Sequence, residues 1–325
     1  STNDTYPTAM RLANLLLSKE LLVELELFSK SFEKKSLEFD HILKAGRTHL
    51  QDAVPIRLGQ EFKAYQYTID QLIKLIKDAQ VSLRDLGIGG SAVGTGINVP
   101  AGFREFIIEE LRILFKDQNL VLSENLIAST QSQLPIMIYS NALRAMALEL
   151  TRIFNDLRLL SSGPNTGLSE LHLPSSQPGS SIMPGKINPS LLEMGNQVCY
   201  KVLGNDSAMA FAMQAGQLEL NVMMPLMSQL TLESGEIIKN ALLSIRIKCI
   251  DGITANEKQC EKYLGLTSQI ATALNPVLGY SHTAELIKEA AIKNKSILEI
   301  IKEKNILTNE QFDSLLNLRE MTIPK

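Results

Sequence analysis

Two adjacent serines, a lysine and an asparagine share one short stretch, Gly179-Ser-Ser-Ile-Met-Pro-Gly-Lys-Ile-Asn-Pro189. Gly179 and Gly185 give this stretch freedom, while Pro178, Pro184 and Pro189 restrict it, a pattern that predicts a lid with defined hinges. Asn188-Pro189 predicts the start of a helix, with Asn188 as N-cap and Pro189 at the first helical position. The free amides of that helix, together with the charge of Lys186, favour a carboxylate or phosphate. Ser180 and Ser181 would sit in the same positive potential. A serine is a poor base unless its alkoxide is stabilised, and these neighbours are of the kind that stabilise one.

Two further segments repeat the theme. Ser1-Thr2-Asn3-Asp4 is a cluster of N-cap residue types before a helix with Pro7 near its start. Gly46-Arg-Thr-His-Leu-Gln-Asp52 puts Thr48 and His49 in a Gly-bounded loop. Taken alone, each has a plainer reading, as helix capping, a surface histidine or a flexible connector. Two standard nucleotide motifs nearly match and fail. Between Gly179 and Lys186 the glycines are separated by five residues where a phosphate-binding loop has four, and Ile187 stands in place of Ser/Thr. Gly87-Ile-Gly-Gly-Ser-Ala92 fits G-x-G-x-x-A, but a helical pattern precedes it where a strand is required.

These loops punctuate long helical patterns, and the expected fold class is all-α, a long-helix bundle with a small C-terminal helical domain. Aromatics are 5 % and Trp is absent. One apolar stripe runs through Phe62, Tyr65, Ile69, Leu72, Ile76 and Leu83, and another through Tyr139, Leu143, Met146, Leu150, Ile153 and Leu157. From Met194 to Leu232 only Lys201, Asp206 and Glu219 are charged. Uncharged runs of 12 and 13 residues fall short of the roughly 18–20 that span a membrane. A helix apolar on nearly every side must be surrounded by other helices, which points to packing against copies from other subunits. The expected division is a helical-bundle domain over 1–251 and a small helical domain over 252–325, where Lys and Glu return on shorter helices.

Bulk composition narrows the function classes. A net charge of −3 gives no basic excess for nucleic acid or an anionic membrane surface. Three cysteines without paired spacing fit a reducing compartment rather than a disulfide framework. The four histidines show no metal-binding spacing and no C-x-x-C occurs, so no zinc site is expected.

Taken in order, Ser1-Thr-Asn-Asp-Thr-Tyr-Pro-Thr-Ala9, Gly46–Asp52, Gly89-Gly-Ser-Ala-Val-Gly-Thr-Gly-Ile-Asn98 and Gly179–Pro189 resemble the blocks of the fumarase/aspartase superfamily. The last matches that family's GSSxMPxKxNP pattern, and the likeness runs along the whole chain. It implies a homotetramer built on a multi-helix core, with active sites shared between three subunits and a small dicarboxylate as substrate. It implies reversible addition to fumarate without an organic cofactor, leaves activation by a divalent cation such as Mg open, and places the protein in the cytoplasm. In the family's pattern Ser180 is the base that removes the Cβ proton. Thr48, Lys186 and Asn188 look like ligands of one substrate carboxylate, and Ser1, Thr2 and Ser181 of the other. Asn3 and His49 match residues near the leaving amine or hydroxyl, and Glu193 the acid that pairs with the histidine.

The leaving group divides the family, ammonia against water. Ser1-Thr2, Arg158–Pro164, Gly216–Val222 and Gly252–Glu257 look like members that release ammonia, which makes L-aspartate the expected substrate. Gly89–Gly96 and His49 are at home in the fumarate hydratases, and Met224 fits neither pattern. The family's N-terminal domain, which carries a further substrate-binding threonine, is absent from this chain. A non-catalytic, structural role is the third reading, since superfamily members have been recruited as structural proteins.

Overall fold

The computed structural model describes residues 1–176, 179 and 182–324. Helix α1 (Thr2–Glu38) leads into strands β1 (Leu43–Thr48) and β2 (Gln51–Arg57), then α2 (Leu58–Leu83). A short strand β3 (Asp85–Leu86), helix α3 (Phe103–Phe115), strand β4 (Val121–Leu122) and helices α4 (Leu126–Gln131) and α5 (Leu134–Leu160) follow. After β5 (Leu171–His172) come the long helices α6 (Ser190–Gln214) and α7 (Met224–Lys248). The chain continues through β6 (Thr254–Ala255), α8 (Glu257–Leu266), α9 (Asn275–Leu278), α10 (Tyr280–Lys293), α11 (Ile297–Glu303) and α12 (Asn309–Leu315). Helix dominates, as the periodicity predicts, and the strands pair only in twos.

The chain forms two compact units. The first holds Ser1–Lys30, Tyr67–Arg158 and Ser175–Ile250. Its core is the stripe read from the sequence: Ile69, Ile76 and Leu83 of α2 and Tyr139, Leu143, Met146, Leu150, Ile153 and Leu157 of α5 are all buried. A Cβ on Gly195 would stand 2.7 Å from both Ile245 Cδ1 and Phe154 Cε2, so only glycine lets α6 approach α7 and α5 this closely. Arg246 of α7 binds Glu24 of α1 at 2.5 Å, and Lys239 binds Glu20 at 2.8 Å.

The apolar segment from Met194 to Leu232 is two helices rather than one. Asn221 is buried and its amide donates to the carbonyls of Ala212 (3.1 Å) and Met213 (3.3 Å), satisfying the end of α6 and turning the chain. Two of the three charges in the segment have partners: Asp206 accepts from Ser140 at 2.7 Å, and Lys201 pairs with Glu233 at 3.1 Å, while Glu219 is exposed. Yet Tyr200, Phe211, Leu226, Leu243 and Ile247 remain exposed, apolar side chains that nothing among the described residues covers.

The second unit holds Ser31–Gln66, Leu159–Pro174 and Asp251–Lys325. Residues 251–325 therefore do not stand alone, unlike the expected single cut after residue 251: the β1–β2 hairpin and the segment 159–174 fold with them. A reading along the chain follows periodicity and cannot see that a hairpin with no core of its own borrows one. The core here is Leu264, Ile270, Leu274, Leu286, Ile297 and Ile300, with Leu43 of β1 packed against it. Phe32, Phe39, Phe62 and Tyr65 add an aromatic cluster, with the Phe39–Phe62 rings edge to face at 5.1 Å.

Candidate active site

In the first unit the start of α1 and the glycine loop after β3 are clamped together. The Ser1 hydroxyl accepts from the Asn3 amide at 3.2 Å, an N-cap bond, and Thr2 Oγ1 lies 3.5 Å from Asn3 Oδ1. Asn3 Nδ2 donates to the Ala92 carbonyl at 2.8 Å. Asp4, nearly buried, accepts through one oxygen from the amides of Gly89 and Ser91, each at 3.0 Å. Gly89 (φ 88°) and Ser91 (φ 57°) take left-handed conformations that aim those amides at the carboxylate. Ser1 and Thr2 stay exposed at the surface of this clamp, and Asn3 is partly so. Asp4 was read only as one of a capping cluster; its spacing carries no sign of the long-range bond it makes. A two-residue strand does precede Gly87, but no helix opens before Phe103, so the near-match to a dinucleotide fingerprint has no helix N-terminus to offer.

In the second unit Thr48 and His49 stand at the tip of a hairpin, where the sequence predicts a loop. Thr48 pairs with Gln51 across a two-residue turn. Both turn residues, His49 (φ 53°) and Leu50 (φ 58°), have the positive φ that a type I′ turn needs, without the usual Asn or Gly. Thr48 and His49 are exposed, and neither side chain has a partner among the described residues. Beneath them lies a set of four charges, with Lys44 and Glu170 buried and Arg47 and Glu61 partly so. Arg47 donates to both oxygens of Glu170 at 3.0 Å, while Lys44 reaches Glu170 at 2.9 Å and Glu61 at 2.8 Å. Burial pulls the Lys44 ammonium down, and Glu61 and Glu170 more than reverse this, so it titrates above its ordinary range. Burial pushes the Glu61 carboxyl up, against the pull of Lys44.

The segment Gly179–Pro189 falls within the stretch Ser175–Ile250 of the first unit. Ser180 and Ser181 lie outside the described residues. Lys186 is exposed and Asn188 partly so, and neither side chain has a partner among the described residues. Helix α6 starts one residue later than predicted: Pro189 is the N-cap, Ser190 is the first helical residue, and no side chain caps the helix. Asn188 is therefore not a cap, because the φ and ψ of Pro189 (−78°, 44°) keep it out of the helix. Its amide is left available for other bonds. Glu193 in the first turn lies 3.7 Å from Arg158 Nη2, a partner that sequence reasoning missed.

Within the first unit the structure thus joins Asn3 to the 89–92 loop and Glu193 to Arg158. Thr48 and His49 belong to the other unit. Burial pushes the thiols of Cys199 up to about 11 and of Cys249 and Cys260 up to about 12, so all three stay protonated at neutral pH. Among the described residues no group of three His, Cys, Asp or Glu side chains gathers to hold a metal ion, and no helix is long and apolar enough to cross a membrane.

The chain matches the family model described as Lyase over residues 1–204 and the one described as Fumarase C C-terminus over 270–323. It is 44 % identical over 324 residues to the aspartate ammonia-lyase of Helicobacter pylori, covering 100 % of this chain and 69 % of that protein. Identity to the aspartate ammonia-lyase of Bacillus subtilis is 42 %, with 100 % and 68 % covered. Among solved structures, a fumarate lyase:delta crystallin from Brucella melitensis bound to cobalt superposes with a TM-score of 0.95 at 41 % identity, covering 100 % of this chain and 70 % of that one. A class II fumarase from Schistosoma mansoni superposes with a TM-score of 0.91 at 35 % identity, covering 100 % and 71 %. With these matches running through each block of the site, the chain belongs to the fumarase/aspartase superfamily of lyases.

Proposed function

We propose that this carbon–nitrogen lyase reversibly deaminates L-aspartate to fumarate and ammonia. The observation that carries the substrate is its likeness, over the whole chain, to aspartate ammonia-lyases. In our reading Ser180 takes the Cβ proton and the electron pair of the C–H bond forms a dianionic aci-carboxylate. That pair then closes the double bond as the Cα–N bond breaks and ammonia leaves. The intermediate needs aimed donors and positive charge where its own charge develops. Lys186, Asn188 and Thr48 would hold one substrate carboxylate, and Ser1, Thr2 and Ser181 the other. Asn3 and His49 would stand at the leaving amine, with Glu193 orienting the histidine of another subunit. The uncapped start of α6 and the unpartnered amide and ammonium of Asn188 and Lys186 support an anion-binding role.

Such an active site needs several subunits, and the exposed apolar face of α6 and α7 supports a homotetramer in which copies cover one another. The three buried, unpaired cysteines support a reducing, cytoplasmic setting. Activation by a divalent cation such as Mg is a further proposal, tested by adding and chelating the ion during turnover.

Fumarate hydration is the second reading, favoured by His49 and by the likeness to a class II fumarase. Loss of fumarate's ultraviolet absorbance, followed with and without ammonium, separates the two. Loss only with ammonium is the expected result, and equal loss in both buffers makes water the nucleophile. If fumarate is consumed in neither, the structural role stands instead.

A further inference from the structure

Glu170 immediately precedes β5 and is wholly buried, with no exposed surface (0 %). Both its oxygens accept from Arg47, and one also from Lys44. In a regular strand residues three apart point to opposite faces, so Lys44 and Arg47 could not share one carboxylate. The β1–β2 register shifts between Ala45 and Arg47, and this bulge turns both cations to the same side. The bulge depends on Gly46, where a Cβ would stand 2.7 Å from the Val54 carbonyl oxygen. The Arg47 guanidinium also lies over the Tyr263 ring of α8, 5.4 Å from its centre. The Glu170 backbone completes the junction: its N–H donates to the Leu160 carbonyl at 2.8 Å, and its carbonyl accepts from the Asn256 amide at 2.9 Å. A buried ion set of this kind is weak as a source of net stability but strict about geometry. The residue that follows Arg47 is Thr48, and His49 comes next.

We propose that Glu170 is a positioning residue for the lyase reaction: through Arg47 and Lys44 it sets the strand end that presents Thr48 and His49. The inference rests on the carboxylate and leaving-group roles given to those two residues above. Glu170 touches no substrate; it acts through the hairpin.

The test uses the full-length enzyme with Glu170→Gln, Arg47→Lys and the double variant, each assayed with whichever substrate the wild type turns over. Misplacing Thr48 and His49 by a fraction of an ångström is expected to raise KM and lower kcat, about tenfold each. The double variant should lose no more than the worse single, because the two residues act as one unit. An unchanged KM, or losses that multiply, would overturn the proposal, since a merely structural defect reduces the amount of active enzyme and leaves KM alone. Arg47→Lys keeps the charge in a partly exposed position, so it carries the test if Glu170→Gln does not fold. Hydrogen exchange is measured on the same proteins. Faster exchange confined to residues 43–50 is expected, and exchange equal to wild type there sinks the anchor whatever the activity. A wild type that ignores aspartate would instead overturn the substrate reading, while the exchange result still judges the anchor.

Discussion

The hairpin that carries Thr48 and His49 and the segment that carries Lys186 and Asn188 are held in opposite ways. Under the hairpin, four charges are locked into one set around the buried Lys44 and Glu170, with Arg47 and Glu61 partly buried. Near Lys186 the described backbone is set by glycine and a turn, with the Lys186 amide donating to the Met183 carbonyl at 3.2 Å and Gly185 at φ 79°. The strand end of the hairpin is set by ion pairs, whereas Lys186 and Asn188 have side chains without a partner among the described residues. An enzyme that must admit a dicarboxylate and then surround it needs both kinds of element, because a donor already satisfied inside the protein is lost to the transition state.

The largest expected effect tests the lid side. Ser180→Ala should lower kcat by about 10²–10⁴-fold, the usual worth of a positioned base, with an unchanged melting temperature and an unchanged oligomeric state. A residual rate close to wild type would remove Ser180 from its role as base. On the hairpin side the expectation reverses. Lys44→Met leaves two buried carboxylates one cation short and should cost about 3–5 kcal/mol in denaturant unfolding.

The pH dependence of that cost sharpens the contrast. Lys44 titrates above its ordinary range in the folded protein because Glu61 and Glu170 outweigh its burial. Its contribution is therefore complete below the unfolded value of about 10.4 and is lost only as pH rises through the still higher folded value. The stability gap between wild type and Lys44→Met should be flat from neutral pH to about 10 and then close. A gap that changes between pH 6 and 9 would mean that some other group of the set titrates there.

Lys186→Met returns to the lid side with a smaller expected loss, about 10²-fold in kcat/KM, the worth of one donor to a developing anion. Thermal unfolding should not move, because the ammonium is exposed and has no partner among the described residues. A fall in melting temperature like that of Lys44→Met would break the comparison. Smallest of all is Leu50→Gly at the hairpin tip. Glycine relieves a left-handed residue by about 1–2 kcal/mol and gives back about 0.5–1 kcal/mol in unfolded-chain entropy. The expected net gain is about 0–1.5 kcal/mol, and a clear loss would show that the exposed Leu50 side chain has a contact to protect.

Much of the fold was legible because helices announce themselves by local periodicity. The stripes from Phe62 to Leu83 and from Tyr139 to Leu157 are the buried faces of α2 and α5. The blocks of the site were legible too, since Gly, Pro and N-cap residues mark loops and helix starts within a few positions. What stayed hidden depends on partners far along the chain. Asp4 binds amides at residues 89 and 91, and Glu170 gathers cations from residues 44 and 47. The hairpin itself was missed because its turn uses His49 and Leu50 where Asn-Gly would have signalled it. Likewise Gly216 and Pro225 mark the break between α6 and α7, but the bonds by which Asn221 closes the end of α6 are announced by no spacing.

The sequence alone therefore determined the helical class, the all-round apolar segment and the list of residues able to handle a carboxylate, because composition and spacing are local properties. Only the tertiary structure decided which of them are held and which are free. A buried carboxylate takes whatever donors the fold brings to it, and the cost of leaving it unpaired is met by contacts that no local spacing encodes.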